Sequence, residues 1–130
     1  MDTITPRSLV LWFKFHGIID LLIGIPLFFD PHSFLTFLRW PVIDPFASRL
    51  VAAALLSIGV VSLSIKESHE TYKALTFFKI FWSFFAITGI SSSLSFFAFP
   101  FFAYIILLTF GFFFFLWTYY YFHIFVNRSK

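Results

Sequence analysis

Apolar residues dominate the chain in four long runs, roughly 8–29, 45–65, 72–94 and 99–125. Each run is about 20 residues or longer, enough for a helix to cross a hydrocarbon core of about 30 Å. The last run, at about 27 residues, is long enough to tilt. Strict two-residue alternation is missing from all four, which argues against a transmembrane barrel. The pattern predicts an all-α polytopic membrane protein: a four-helix transmembrane bundle, with residues 1–130 as one domain. Between the first two helices, residues 30–44 are bounded by prolines. Phe34, Leu35, Phe37 and Leu38 there cover one side of a short helix, read as an interfacial segment on the bilayer surface. The uncharged connection Ser91–Pro100 is short and predicts a tight hairpin between the last two helices.

Composition supports this solvent. Of 130 residues, 60% are hydrophobic and 12% charged, against about 25% charged in a typical soluble domain. Mean hydropathy is +0.92. Phenylalanine supplies 24 residues, read as an inexpensive route to hydrophobicity in an AT-rich genome rather than as an aromatic cage. Cysteine is absent from the sequence, which excludes disulfides, thiolate metal sites and Fe–S clusters. The first run resembles a signal peptide only in following Arg7. Its length, its three ionisable residues and its ending in Phe28-Phe29-Asp30-Pro31 predict a retained helix.

Charge sets the predicted orientation. Four spans put both termini and the loop Lys66–Lys73 on one side. Arg7, Lys14, Lys66, Lys73, Lys79, Arg128 and Lys130 fall there, while Arg39 and Arg49 fall on the other. The positive-inside rule makes the first side cytoplasmic. Aromatic anchors follow the same scheme. Trp12, Tyr72, Trp117, Tyr119, Tyr120 and Tyr121 are assigned to the inner interface, Trp40 and Tyr104 to the outer one, and Trp82 to helix packing.

The first run, "WFKFHGIIDLLIGIPLFF", holds a lysine, a histidine and an aspartate. Such groups cost about 2.5–3.5 kcal/mol at the centre of a span. Lys14 is close enough to the cytoplasmic end to snorkel. His16 and Asp20 are one helical turn apart on one face, with Gly17 and Gly24 beside them, so that face is predicted to look inward. On the third helix, Thr76, Lys79, Ser83, Ala86, Ile90 and Ser93 form a small and polar stripe. Matching depths, at 1.5 Å per residue, place His16, Asp20, Lys79 and Thr118 in one polar layer. Arg49, sharing a face with Ala53 and Ser57, is expected above it, extending toward Asp20.

Two roles for this layer stay open: a lock on helix register, or a proton, ligand or His–Asp general-base site. No nucleophile with a motif context accompanies the pair, so no enzymatic activity is assigned, and a membrane-embedded isomerase or hydrolase is the most remote reading. No metal spacing or cofactor motif is found. His16 and His123 differ by about 9 Å in depth, which argues against haem or another tetrapyrrole held by both. His32 and His69 fall in loops. The net charge of +3 is the positive-inside bias, so no nucleic-acid partner is predicted. The predicted partners are the lipid bilayer, other membrane subunits and further copies of the chain.

The pattern Gly17-x-x-Asp20-x-x-x-Gly24 leading to Phe29-Asp30-Pro31, followed by Asp44-x-x-x-x-Arg49, resembles small four-helix membrane proteins of the DoxX-like group. The resemblance spans roughly the first 60 residues. It implies a four-helix bundle, and in some members a role as an accessory subunit of a redox complex. The function classes that follow are a non-catalytic membrane subunit or interaction protein and, alternatively, a small proton-coupled carrier or channel.

Overall fold

The computed structural model describes residues 5–66, 68–94 and 98–127. The described residues are helical, with no strand among them. Helix α1 is Arg7–Phe29, α2 Pro31–Phe37, α3 Pro45–Ser64, α4 His69–Ser93 and α5 Phe101–Tyr120; a π-helical turn, Tyr121–Val126, continues α5. Helices α1, α3 and α4, and α5 with its π turn, are each long and apolar enough to cross a membrane. Their outward faces are rich in Phe, Leu, Ile and Val, including Leu22, Phe85, Leu108 and Phe115. That surface requires lipid as its solvent. The protein is a multi-pass integral membrane protein.

Local chemistry fixes the helix starts. Pro45 opens α3 behind Asp44, whose Oδ1 accepts from the amides of Phe46 at 2.9 Å and Ala47 at 3.1 Å. The Asp30 Oδ1 accepts from the Ser33 amide at 3.1 Å and starts α2 in the same way. Ser68 caps α4 through the Thr71 amide at 3.4 Å. This cap starts α4 three residues ahead of the apolar run, so residues 69–71, expected outside the helix, are helical. Helix α2 ends in a Schellman motif. The amides of Arg39 and Trp40 donate to the carbonyls of Thr36 and Leu35, each at 2.9 Å, and Arg39 takes a left-handed φ of 55°. Pro31 and Leu35 form the buried side of α2, with Phe34 and Leu38 half-buried; Phe37, expected on that side, is exposed.

The chain divides into two compact units, residues 1–67 and 68–130. In the first unit α1 and α3 are antiparallel neighbours: Gly17 meets Gly59 and Ser62, Gly24 meets Leu55 and Leu56, and Phe28 meets Arg49. The buried positions of α3, namely Ala52, Leu55, Gly59 and Ser62, are spaced three and four apart. In lipid there is little hydrophobic drive between helices, so close backbone approach and dispersion hold such a pair together.

In the second unit α4 and α5 are antiparallel and joined by aromatic rings. Contacts run from His69 to Phe125 (4.8 Å), Phe125 to Tyr121 (6.0 Å), Tyr121 to Phe77 (5.6 Å), and along α4 through Phe81 and Phe85. Phe84 then meets Phe114 at 6.4 Å. Ring pairs of this kind add about 0.5–1.5 kcal/mol each beyond area burial.

Candidate functional site

The buried polar groups of the first unit stand on α1. His16 Nε2 lies 3.7 Å from Asp20 Oδ1, one turn along the helix, and both residues are about 3% exposed. A continuous helix with apolar flanks sets that spacing. Beside the pair, α1 and α3 approach closely. A Cβ on Gly17 would lie 3.0 Å from the Gly59 carbonyl oxygen and 3.1 Å from Ser62 Cβ. A Cβ on Gly24 would lie 3.1 Å from Leu56 Cγ. Glycine is therefore required for α3 to lie this close to the His16–Asp20 face. Lys14, by contrast, is exposed.

Arg49 lies beyond this pair, toward the C-terminal end of α1, but does not extend to it. Its Nε donates to the Phe28 carbonyl at 3.1 Å, eight residues and about 12 Å beyond Asp20 along α1. Ala53 and Ser57, on the same face, are exposed as well. The expectation that Arg49 extends toward Asp20 is thus corrected. The carbonyls of the last turn of α1 have no partner further along the helix and carry partial negative charge, and a cation is drawn there in preference to the apolar interior.

The buried polar groups of the second unit stand on α4. Thr76, Lys79 and Ser83 are the buried members of the stripe, and Ala86, Ile90 and Ser93 are half-buried. Lys79 is 1% exposed, and its Nζ lies 5.5 Å from the centre of the Trp117 ring, a cation–π arrangement. Phe113 stacks on the same indole at 5.9 Å. Trp117 is fully buried, so it is not the interface anchor expected from sequence. It lies nine residues, about 14 Å, before the end of the π turn. Thr118 is half-buried and donates to the Phe114 carbonyl at 2.7 Å. The Ser83 Oγ is buried with no hydrogen-bond partner among the described residues.

Most other hydroxyls bond within their own helix. Ser57 donates to Ala53, Thr76 to Tyr72, Thr88 to Phe84, Ser92 to Thr88, Ser93 to Gly89 and Thr109 to Ile105, at 2.7–2.9 Å. Such bonds to the carbonyl four residues back let a hydroxyl sit in lipid without a second helix. Among the described residues no three His, Asp or Glu side chains gather in a metal-ligating group. His123 stacks on Tyr119 at 5.4 Å, and His69 packs on Phe125.

Sequence reasoning missed Gly59 and the role of Trp117. The signal for Gly59 was present as Ala52 and Gly59 seven residues apart, matching Gly17 and Gly24. Trp117 sits four residues after Phe113 and four before Tyr121, a spacing that marks a packed face. Glu67, Arg128 and Lys130 lie outside the described residues. No protein-family model, curated protein or solved structure matches the chain.

Proposed function

We propose that the protein is a non-catalytic membrane subunit or interaction protein, docked on other membrane proteins or on further copies of itself, with both termini in the cytoplasm. The closed Gly17–Gly59 contact beside His16 and Asp20 carries this reading. A helix contact this close acts as a register lock: sliding α1 along α3 by one residue removes the glycines from each other and puts side chains in their place. Single-residue specification of helix register by a buried polar group is its best-attested use. The hydroxyls bonded to their own helices point the same way, because their protons are committed to backbone carbonyls. The DoxX-like pattern agrees with an accessory-subunit role.

The test is purification of the full chain in mild detergent. A stoichiometric membrane partner, or a defined homo-oligomer without transport activity, is the expected outcome. A lone protein that acidifies or alkalinises proteoliposomes would overturn the proposal.

One observation favours a proton-coupled carrier as the second reading. Ser83 Oγ is buried and unbonded among the described residues, one turn from the buried Lys79, and such a hydroxyl is able to hydrogen-bond a water or a polar ligand. Proton flux lost in Lys79→Gln and Ser83→Ala while both variants stay folded would establish that reading.

A further inference from the structure

The end of α1 holds hydrogen-bonding capacity that the fold leaves unused. Arg49, in the second turn of α3, is exposed, and its one hydrogen bond among the described residues, from Nε to the Phe28 carbonyl, fixes the plane of the guanidinium. The two terminal nitrogens, with four N–H donors, make no hydrogen bond among the described residues. Two residues beyond Phe28 stands the Asp30 carboxylate, also exposed, with Oδ1 on the Ser33 amide. Arg49 and Asp30 make no direct ion pair among the described residues. A fixed cation and a fixed anion therefore face the solvent side by side. They do so where an apolar span of 23 residues ends, at the depth where lipid headgroups begin. Phe29 and Phe46, each more than 70% exposed, and Leu50 flank them.

The geometry points to a binding site for the headgroup of phosphatidylethanolamine, with the lipid phosphate on the Arg49 guanidinium and the ammonium on the Asp30 carboxylate. The planar fork of arginine matches two phosphate oxygens, and holding Nε in place removes much of the ordering cost. The ethanolamine ammonium brings three N–H donors to an exposed carboxylate, whose two oxygens can accept more bonds than Ser33 supplies. The trimethylammonium of phosphatidylcholine has no donor to offer. Phosphatidylglycerol has no cation, and its phosphate meets the repulsion of Asp30 uncompensated. Phe29, Phe46 and Leu50 give the acyl chains an apolar surface, which commits the site to a lipid rather than a soluble phosphate. This inference goes beyond the subunit reading and does not depend on it.

The test is native mass spectrometry of the detergent-purified full chain with equal amounts of phosphatidylethanolamine, phosphatidylglycerol and phosphatidylcholine. Phosphatidylethanolamine should be retained about tenfold more than either competitor, the scale of one charge-assisted hydrogen bond. Arg49→Gln should lower the retention of all three lipids, because the phosphate they share loses its partner. Asp30→Asn keeps a residue that caps α2, so it decides the matter even if Arg49→Gln fails to fold; it should bring phosphatidylethanolamine down to the level of phosphatidylcholine. Equal retention of the three lipids by the wild type, or an unchanged preference in Asp30→Asn, would overturn the proposal. Displacement of the lipid by soluble phosphoethanolamine would also overturn it, since the site would then take a soluble ligand.

Discussion

Gly17 and Gly59 face each other across α1 and α3 so closely that a Cβ on either would lie 3.0 Å from the other's carbonyl oxygen. Neither backbone can give way without moving a whole helix. Gly59→Ala should therefore destabilise the first unit by about 1–3 kcal/mol, the scale of an overpacked contact. A Cβ on Gly89 or Gly111 would meet nothing within 4 Å among the described residues. Gly89→Ala and Gly111→Ala should melt at or above the wild-type temperature, since alanine gains up to about 1 kcal/mol in a helix interior. Detergent melting curves of the three variants check this, and a wild-type melt for Gly59→Ala would refute the close contact.

Asp20 is buried and Lys14 is exposed, six residues apart on one helix. Removing one partner of a buried pair costs about 3–5 kcal/mol in soluble proteins, and less in a membrane, where water defects give relief. Asp20→Asn should lower the melting temperature clearly more than Lys14→Gln. The double variant His16→Leu with Asp20→Leu should recover much of the loss if the pair only fixes register. Equal melting of Asp20→Asn and Lys14→Gln would rule out a stabilising role for the pair.

Arg39 holds a left-handed backbone conformation at the end of α2. For a residue with a Cβ this costs about 1–2 kcal/mol. Arg39→Gly should raise stability by about 1 kcal/mol, read as a higher melting temperature. A fall would show that the Arg39 side chain contributes more than its backbone costs.

The cation asymmetry of the sequence gives an orientation that labelling can measure. In sealed cells, Ser33→Cys should react with an impermeant thiol reagent and Ser68→Cys should not. Labelling at Ser68→Cys alone would reverse the orientation.

The Asp30 carboxyl is held below its ordinary value of 3.8, first by hydrogen bonds from Ser33 and less by His32 and Arg49. Its folded value is depressed, so the stability it brings is present above about pH 4 and is lost as pH falls through the folded value. Melting temperatures measured from neutral pH down to acid should fall more for wild type than for Asp30→Asn. Parallel curves would show that this carboxylate adds nothing to the elbow between α1 and α2.

The spans were legible because twenty-residue apolar runs have few other physical solutions. The inward stripe of α4 was legible too: Thr76, Lys79 and Ser83 interrupt a phenylalanine-rich helix at three- and four-residue spacing. Trp117 and Arg49 were not. A tryptophan near a span end reads as an anchor, and its burial, with the Lys79 ammonium above its ring and Phe113 beside it, appears in the structure alone. For Arg49, face-sharing with Ala53 and Ser57 says which residues travel together, not which way they point. The direction depends on where a helix of nearly uniform apolarity rotates, and a sequence with apolar residues on every side leaves that rotation undetermined. The π turn had no sequence signal that we recognise.

Each unit of this protein is built from membrane helices that follow one another in the chain. That arrangement bears on biogenesis. All the partners of α1 and α3 described within their unit have been synthesised by the time residue 67 is made, before α4 and α5 exist. The closing of the Gly17–Gly59 contact therefore need not await the C-terminal half, and low sequence separation favours early pairing. A translation arrest placed far enough beyond residue 67 for α3 to clear the ribosomal tunnel, with α4 still inside it, would display this directly, as a helical hairpin with its register already set.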